Sequence, residues 1–182
     1  MDKAFYKKCI QHEVYENQKL NPVSKFLKKH FGATTNCVYL IRKMMYLYGR
    51  GKIGRVRALL IRKKLITKYS IHIYPTVEIG LGLTIPHPCS IVINGRTKIG
   101  ENFYVLQNCT IGTKFPDEFP YGPAATIGNN VSMYANSIII GEITVADNVK
   151  LGANSMLNKD ALVPGAYFGS PAKLCVPKNH TV

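Results

Sequence analysis

Residues 126–157 read TIGNNVSMYANSIIIGEITVADNVKLGANSML, and their apolar residues return every six positions, at Ile127, Met133, Ile139, Val145, Leu151 and Leu157. One more step reaches Val163. The same step runs upstream in two shorter phases, Ile73–Ile79–Ile85 and Ile93–Ile99–Val105–Ile111. All fourteen positions are aliphatic or methionine. A β-sandwich would alternate with period two and have loops of variable length, so a sustained period of six points instead to a stacked repeat.

Other residues keep the same register. Gly follows the repeat position at Gly80, Gly100, Gly112, Gly128 and Gly152. Small or branched residues precede it by two at Val77, Cys109, Ala125, Val131, Ser137, Ile143 and Val149. Asn falls in the turns at Asn102, Asn108, Asn129, Asn130, Asn148 and Asn154. Each unit reads as a short strand with one inward aliphatic and a tight turn, where Gly and Asn tolerate positive φ. Three units make one triangular coil of about eighteen residues, and coils stack at the interstrand spacing of ~4.8 Å. One unit cannot bury its own apolar face; the stack can.

The period fails twice. Ile85 to Ile93 is eight residues and Ile111 to Ile127 is sixteen, surpluses of two and ten. The first surplus falls in Pro86–His87–Pro88–Cys89–Ser90, where two prolines push a histidine off the coil. The second, Thr113–Gly122, is an extruded loop carrying aromatic and acidic residues. A uniform solenoid offers no site elsewhere, so function is expected at these faults. Counted around the triangle, the two faults leave from different corners, so a neighbouring subunit is expected to bring them together.

Charge divides the chain. Met1–Lys68 holds seventeen Lys/Arg and three Asp/Glu, the whole formal net charge of +14, whereas Tyr69–Val182 holds seven of each. Residues 1–68 therefore read as a basic α-helical N-terminal region, 69–176 as the hexapeptide-repeat β-helix and 177–182 as a tail. In the basic region Cys37, Val38, Leu40, Ile41, Met44, Met45, Leu47 and Tyr48 fit one amphipathic helix, stopped at Gly49-Arg50-Gly51. Ile53, Val56, Leu59, Leu60, Leu65 and Ile66 fit a second. Arg42, Lys43, Arg55, Arg57, Arg62, Lys63 and Lys64 read as a solvated ring around them. The pair is expected to cap the first coil, shielding its edge, and its charge suits an anionic membrane surface or an acidic glycan. No recognition motif or aromatic–basic pattern points to nucleic acid. Five cysteines, with no C-x-x-C pair, make neither a disulfide framework nor a zinc site. Met1–Ile10 lacks the apolar run of a secretory signal, and no apolar run reaches transmembrane length. A cytoplasmic protein, peripheral on the inner face of the membrane, is expected.

The stretches Gly-Leu-Thr-Ile-Pro-His-Pro-Cys-Ser-Ile-Val-Ile-Asn (82–94), Thr-Lys-Ile-Gly (97–100), Gln-Asn-Cys-Thr-Ile-Gly (107–112), Thr-Ile-Gly-Asn-Asn-Val (126–131) and Gly-Ser-Pro-Ala-Lys (169–173) together resemble the serine O-acetyltransferase family, most nearly its surface-polysaccharide branch. The resemblance implies a mainly β fold, a left-handed parallel β-helix, assembled as a homotrimer with acetyl-CoA as co-substrate, no metal, and sites between subunits. It places the catalytic histidine on His87 and the amides facing the acetyl carbonyl on Gly112 and Thr113. Small residues along the pantetheine arm fall on Ala135 and Ala153, and Lys173 falls near the CoA phosphates. Acceptor contacts are expected from Asn94 and from Asp117, Glu118 and Tyr121 of the long loop. The sequence also departs from the family. The acid that orients the histidine aligns with His72, the acid just before it with Pro86, and the second histidine near Ala124. These losses turn the expected acceptor from serine towards a sugar hydroxyl of a surface glycan. Serine, and a catalytically inactive scaffold, are the alternatives.

The chemistry suits the residues. Neutral imidazole takes a hydroxyl proton near pH 7, backbone amides meet the developing oxyanion, and the groove holds donor and acceptor in line. A partner for His87 is open among Asp117, Glu118, Glu78 and a backbone carbonyl. Cys89, two residues on, reads as a packing residue rather than a nucleophile.

Overall fold

The computed structural model describes residues 1–115, 117 and 122–175. Glu118, Tyr121 and the tail 177–182 lie outside the described residues.

Four α-helices precede the repeat. Helix α1 (Lys3–Cys9) is capped by Asp2, whose Oδ1 accepts from Phe5 N at 2.8 Å, and runs into a π-helical turn, Ile10–Val14. Helix α2 (Pro22–His30) starts on Asn21, which accepts from Ser24 N, with Pro22 at the first position where its missing N–H costs nothing. Helix α3 (Ala33–Tyr48) is the hub, packed against α1, the π turn, α2 and α4 (Gly51–Tyr69). The sequence pattern misses α1, the π turn and α2. Helix α2 explains why: its Lys25 and Lys29 turn inward over the rings of Tyr15 and Tyr39, while Val23, Phe26 and Leu27 face solvent.

Two sequence expectations are corrected in these helices. Arg42 is not part of a solvated ring; its side chain is wholly buried. In α4 the apolar set splits. Leu65 is buried, but Ile53, Val56, Leu59 and Leu60 are exposed, and the face against α3 is made by Gly54 and Ala58, small enough for close backbone approach.

Ser70, in the left-handed conformation (φ 55°), ends α4 and turns the chain into the first strand. The strands form three parallel faces. Face A stacks β1 (His72–Ile73), β3 (Val92–Ile93), β6 (Thr110–Gly112), β9 (Ile138–Ile140) and β12 (Met156–Leu157). Face B stacks β2 (Glu78–Ile79), β4 (Lys98–Ile99), β7 (Thr126–Ile127) and β10 (Thr144–Val145). Face C stacks β5 (Tyr104–Val105), β8 (Ser132–Met133), β11 (Val149–Leu151) and β13 (Gly165–Phe168), closed by the antiparallel β14 (Lys173–Leu174). On face A the inward residues register Ile73–Ile93–Ile111–Ile139–Leu157, steps of 20, 18, 28 and 18 residues. The surpluses of two and ten are thus looped out without disturbing the stack.

Thirteen of the fourteen period-six positions are buried; Val163, at 54% exposure, is the exception. The last coil is shortened by two residues. Ala161 bridges Val145 and Tyr167 registers with Leu151, so those two residues fill the rungs that continued spacing would assign to Val163 and its successor. Asn side chains reinforce two corners as ladders, Asn102–Asn130–Asn148 and Asn108–Asn136–Asn154, each link 2.9–3.1 Å. All six of these residues have positive φ.

The helices and the first coil share one apolar core. A buried ion pair straps them. Glu13, on the π turn, takes Arg42 Nε at 2.8 Å and Nη2 at 2.6 Å, and its Oε1 also accepts from Gly82 N and Leu83 N. Arg42 in turn donates to the carbonyls of Ile79 and Gly80.

Candidate active site

The faults in the repeat occupy the two edges of face A. Residues 86–90 leave from the corner between faces C and A, and the chain leaves β6 at Thr113 on the corner between A and B. They stand on different corners, as the arithmetic of the repeat requires.

The first excursion is held from four directions. Thr34 Oγ1, at the start of α3, donates to Pro86 O at 3.1 Å. Cys89 N donates to His87 O at 2.8 Å, closing the turn; Ser90 N reaches back to Tyr69 O at the end of α4; Asn108 N, on the next coil, donates to Cys89 O at 3.1 Å. His87 is exposed on this fixed pedestal. Among the described residues no carboxylate pairs with its imidazole. Glu78 sits on face B opposite Lys98, and Asp117 is exposed beyond the other edge of face A. Cys89 is exposed, its Sγ 3.5 Å from Ser90 Oγ, so it does not pack as the sequence suggested.

Below His87 on the same corner run Gln107, Ala135 and Ala153, linked coil to coil by Asn136 N to Gln107 O and Asn154 N to Ala135 O. Ala135 is half-buried and Ala153 exposed, both small. Gln107 Oε1 is buried without a hydrogen-bond partner. Lys173 is exposed on β14, at the far end of face C. The opposite edge of face A carries Gly112, whose carbonyl accepts from Gly141 N at 3.0 Å, and Thr113, whose hydroxyl donates to Phe115 O. Asn94, one coil earlier on that edge, is fully buried; its Oδ1 accepts from Arg96 N, while its Nδ2 has no partner.

The structure therefore gathers His87, Ala135 and Ala153 on one edge of face A, and Gly112, Thr113, Asn94 and the long loop on the other. Face A between them turns half-buried Val92, Ile138, Ile140 and Met156 outward, with His72 and Thr110 in the same row, whereas face B shows Glu78, Lys98, Thr126 and Thr144. Thr34 and the Glu13–Arg42 strap carried no sequence signal, being remote from the residues they hold. Gln107 stood inside a quoted motif without a role. No group of three or more His, Cys, Asp or Glu among the described residues could hold a metal.

No family profile matches the chain. A serine acetyltransferase of Helicobacter pylori is 35% identical over 117 residues, 64% of this chain and 66% of that protein. The mitochondrial serine acetyltransferase 3 of Arabidopsis thaliana is 30% identical over 129 residues, 69% of this chain but 32% of that protein. Over these stretches the chain is similar to serine acetyltransferases. It spans 32% to 66% of the length of these curated relatives. Among solved structures, the Neisseria gonorrhoeae serine acetyltransferase superposes with a TM-score of 0.80 over 96% of this chain and 67% of its own, at 22% identity. A serine acetyltransferase in complex with CoA gives 0.76 over 95% and 71%, at 19% identity. At such coverage the likeness includes the helices as well as the coil, and the coil is the left-handed parallel β-helix of that family. The surface-polysaccharide branch finds no support among these relatives.

Proposed function

We propose that the chain is an acetyl-CoA-dependent O-acetyltransferase whose acceptor is the hydroxyl of serine, with His87 as general base. The observation that carries this reading is the exposed His87 on its four-bonded pedestal, in a coil whose relatives are serine acetyltransferases. The imidazole takes the hydroxyl proton as oxygen attacks the thioester carbonyl, and returns it to sulfur as the C–S bond breaks and CoA leaves as the thiol. The backbone at Gly112–Thr113 meets the oxyanion, and Ala135 and Ala153 leave room for the pantetheine arm, with Lys173 towards the phosphates.

Because His87 and Gly112–Thr113 lie on opposite edges of face A, one subunit does not assemble this set. The outward strip of face A, where Val92, Ile138, Ile140 and Met156 outnumber His72 and Thr110, supports a trimer in which one subunit's histidine meets its neighbour's Gly112–Thr113 edge.

A sugar hydroxyl is the second reading. The family's carboxylates are replaced at His72 and Pro86, leaving less to meet an ammonium group. Thiol release from acetyl-CoA tests the activity, and serine against a panel of sugars tests the acceptor. His87→Ala is expected to abolish turnover with the oligomer intact; undiminished turnover removes His87 as the base. Absence of thiol release with every acceptor, together with no retention on immobilised CoA, would return the chain to a scaffold.

A further inference from the structure

We propose that the outward face of α4 docks the protein on an anionic lipid surface. Helix α4 has two apolar sides. The buried one, Gly54, Ala58, Leu65 and Tyr69, packs inward. Opposite it, Ile53, Val56 and Leu60 fall at i, i+3 and i+7, a single stripe at 3.6 residues per turn. They are 74%, 59% and 62% exposed, with Leu59 beside them at 53%.

Charge identifies what covers this stripe. Helix α4 holds seven Lys/Arg and no Asp or Glu. Three are used within the chain: Arg55 lies over Tyr48, Arg62 over Tyr74 at 4.0 Å, and Lys68 donates to Asn36 Oδ1. The other four, Lys52, Arg57, Lys63 and Lys64, are exposed. Helical spacing puts Arg57 and Lys64 along one side of the stripe and Lys52 and Lys63 along the other. An apolar ridge between two rows of long cationic side chains matches the acyl–headgroup boundary, where the ridge is buried and the ammonium and guanidinium groups reach the phosphates. A second copy would set these cations against their own kind. A nucleic acid would leave the ridge exposed to water. Helix α2 also exposes apolar residues, but its Lys25 and Lys29 are engaged by Tyr15 and Tyr39, so it lacks the flanking charge. No helix among the described residues is long and apolar enough to cross a membrane, so the contact is one of lying on the surface.

The test is flotation of the full chain with phosphatidylcholine vesicles, with and without phosphatidylglycerol. Binding is expected only with the anionic lipid, weakening as salt rises. The paired variants Lys63→Glu/Lys64→Glu and Ile53→Ser/Leu60→Ser alter exposed side chains, and unchanged circular dichroism and oligomer mass will show that they fold. Each is expected to lower the partition coefficient at least roughly tenfold. Three results overturn the proposal: no flotation of the parent chain, full binding by both variants, or a concentration-dependent self-association that Ile53→Ser/Leu60→Ser abolishes, which would show a second copy on the stripe.

Discussion

Arg42→Met should unfold the junction between helices and coil at a cost the structure allows to be worked out. The guanidinium makes four hydrogen bonds, two to the Glu13 carboxylate and one each to the carbonyls of Ile79 and Gly80. Both side chains are buried, at 0% and 1% exposure. Methionine fills much of the volume but leaves the carboxylate with only Gly82 N and Leu83 N, and takes a donor from the buried carbonyl of Ile79 and the half-buried one of Gly80. Breaking a buried pair by removing one partner costs about 3–5 kcal/mol, most of it the charge left behind. For a chain of this size that lowers the melting temperature by roughly 6–20 °C. If the stranded charge is the cause, neutralising it must help. Glu13→Gln keeps an oxygen for the two amides, so the double variant should recover at least ~1 kcal/mol relative to Arg42→Met alone. Urea unfolding followed by far-ultraviolet circular dichroism measures both. An Arg42→Met variant within about 1 kcal/mol of the parent, or a Glu13→Gln substitution whose cost simply adds to that of Arg42→Met, would refute the view that this pair ties the helices to the coil.

Two glycines of the same repeat mark should behave oppositely. A Cβ on Gly100 would stand 2.7 Å from Gly128 O, backbone of the next coil, so Gly100→Ala is expected to cost about 1–3 kcal/mol in urea unfolding. A Cβ on Gly112 would meet only Ile140 Cδ1 at 3.4 Å and Thr110 Cγ2 at 3.6 Å, so Gly112→Ala should fold nearly normally while raising KM for acetyl-CoA or lowering kcat. Thiol chemistry should separate the cysteines: Cys89 and Cys175 react with Ellman's reagent in the native protein, and Cys9, Cys37 and Cys109 only after unfolding. Burial pushes the Cys9 thiol up to about 11 and Cys37 up to about 12 from the ordinary 9.0. The unfolded chain then loses these protons first, so the stability they confer is complete below pH 9 and falls as pH rises towards 11–12. Cys37→Ala should flatten that decline in a pH series of melting temperatures, and a decline of unchanged slope would assign it to other groups.

The repeat was legible because period six is dictated by geometry: every coil must place one aliphatic residue inward per side, so Ile93, Ile111 and Ile139 announce their stacking from sequence alone. The faults were legible for the same reason, as interruptions of a fixed count. What escaped lies where no period governs. Arg42 reads as one more surface cation until Glu13, twenty-nine residues earlier, is brought against it by a π turn that no simple pattern encodes. Helix α2 turns its lysines inward because Tyr15 and Tyr39 offer aromatic faces there, an inversion that amphipathic reading gets backwards. Val163 keeps the spacing but not the burial, because the last coil is two residues short and Tyr167 registers with Leu151.

The same contrast bears on how His87 is held. The resemblance leads one to look for a carboxylate orienting the imidazole, and at the aligned positions this chain has His72 and Pro86. In place of an acid the structure offers backbone: Pro86, His87, Cys89 and Ser90 are each fixed by a main-chain hydrogen bond, to α3, within the turn, to the next coil and to the end of α4. Two of those four anchors belong to the helices, and Arg42 fastens the helices to the carbonyls of Ile79 and Gly80, just upstream on the same coil. On the proposed reading the helical region is a positioning element for His87, and its loss is expected to loosen the 86–90 turn. A His87 base on this pedestal, with no carboxylate paired to it among the described residues, would not depend on such an acid being ionised. It also leaves the acceptor side with fewer negative groups for an ammonium, and for that reason the choice between serine and a sugar hydroxyl turns on the acceptor panel rather than on the fold.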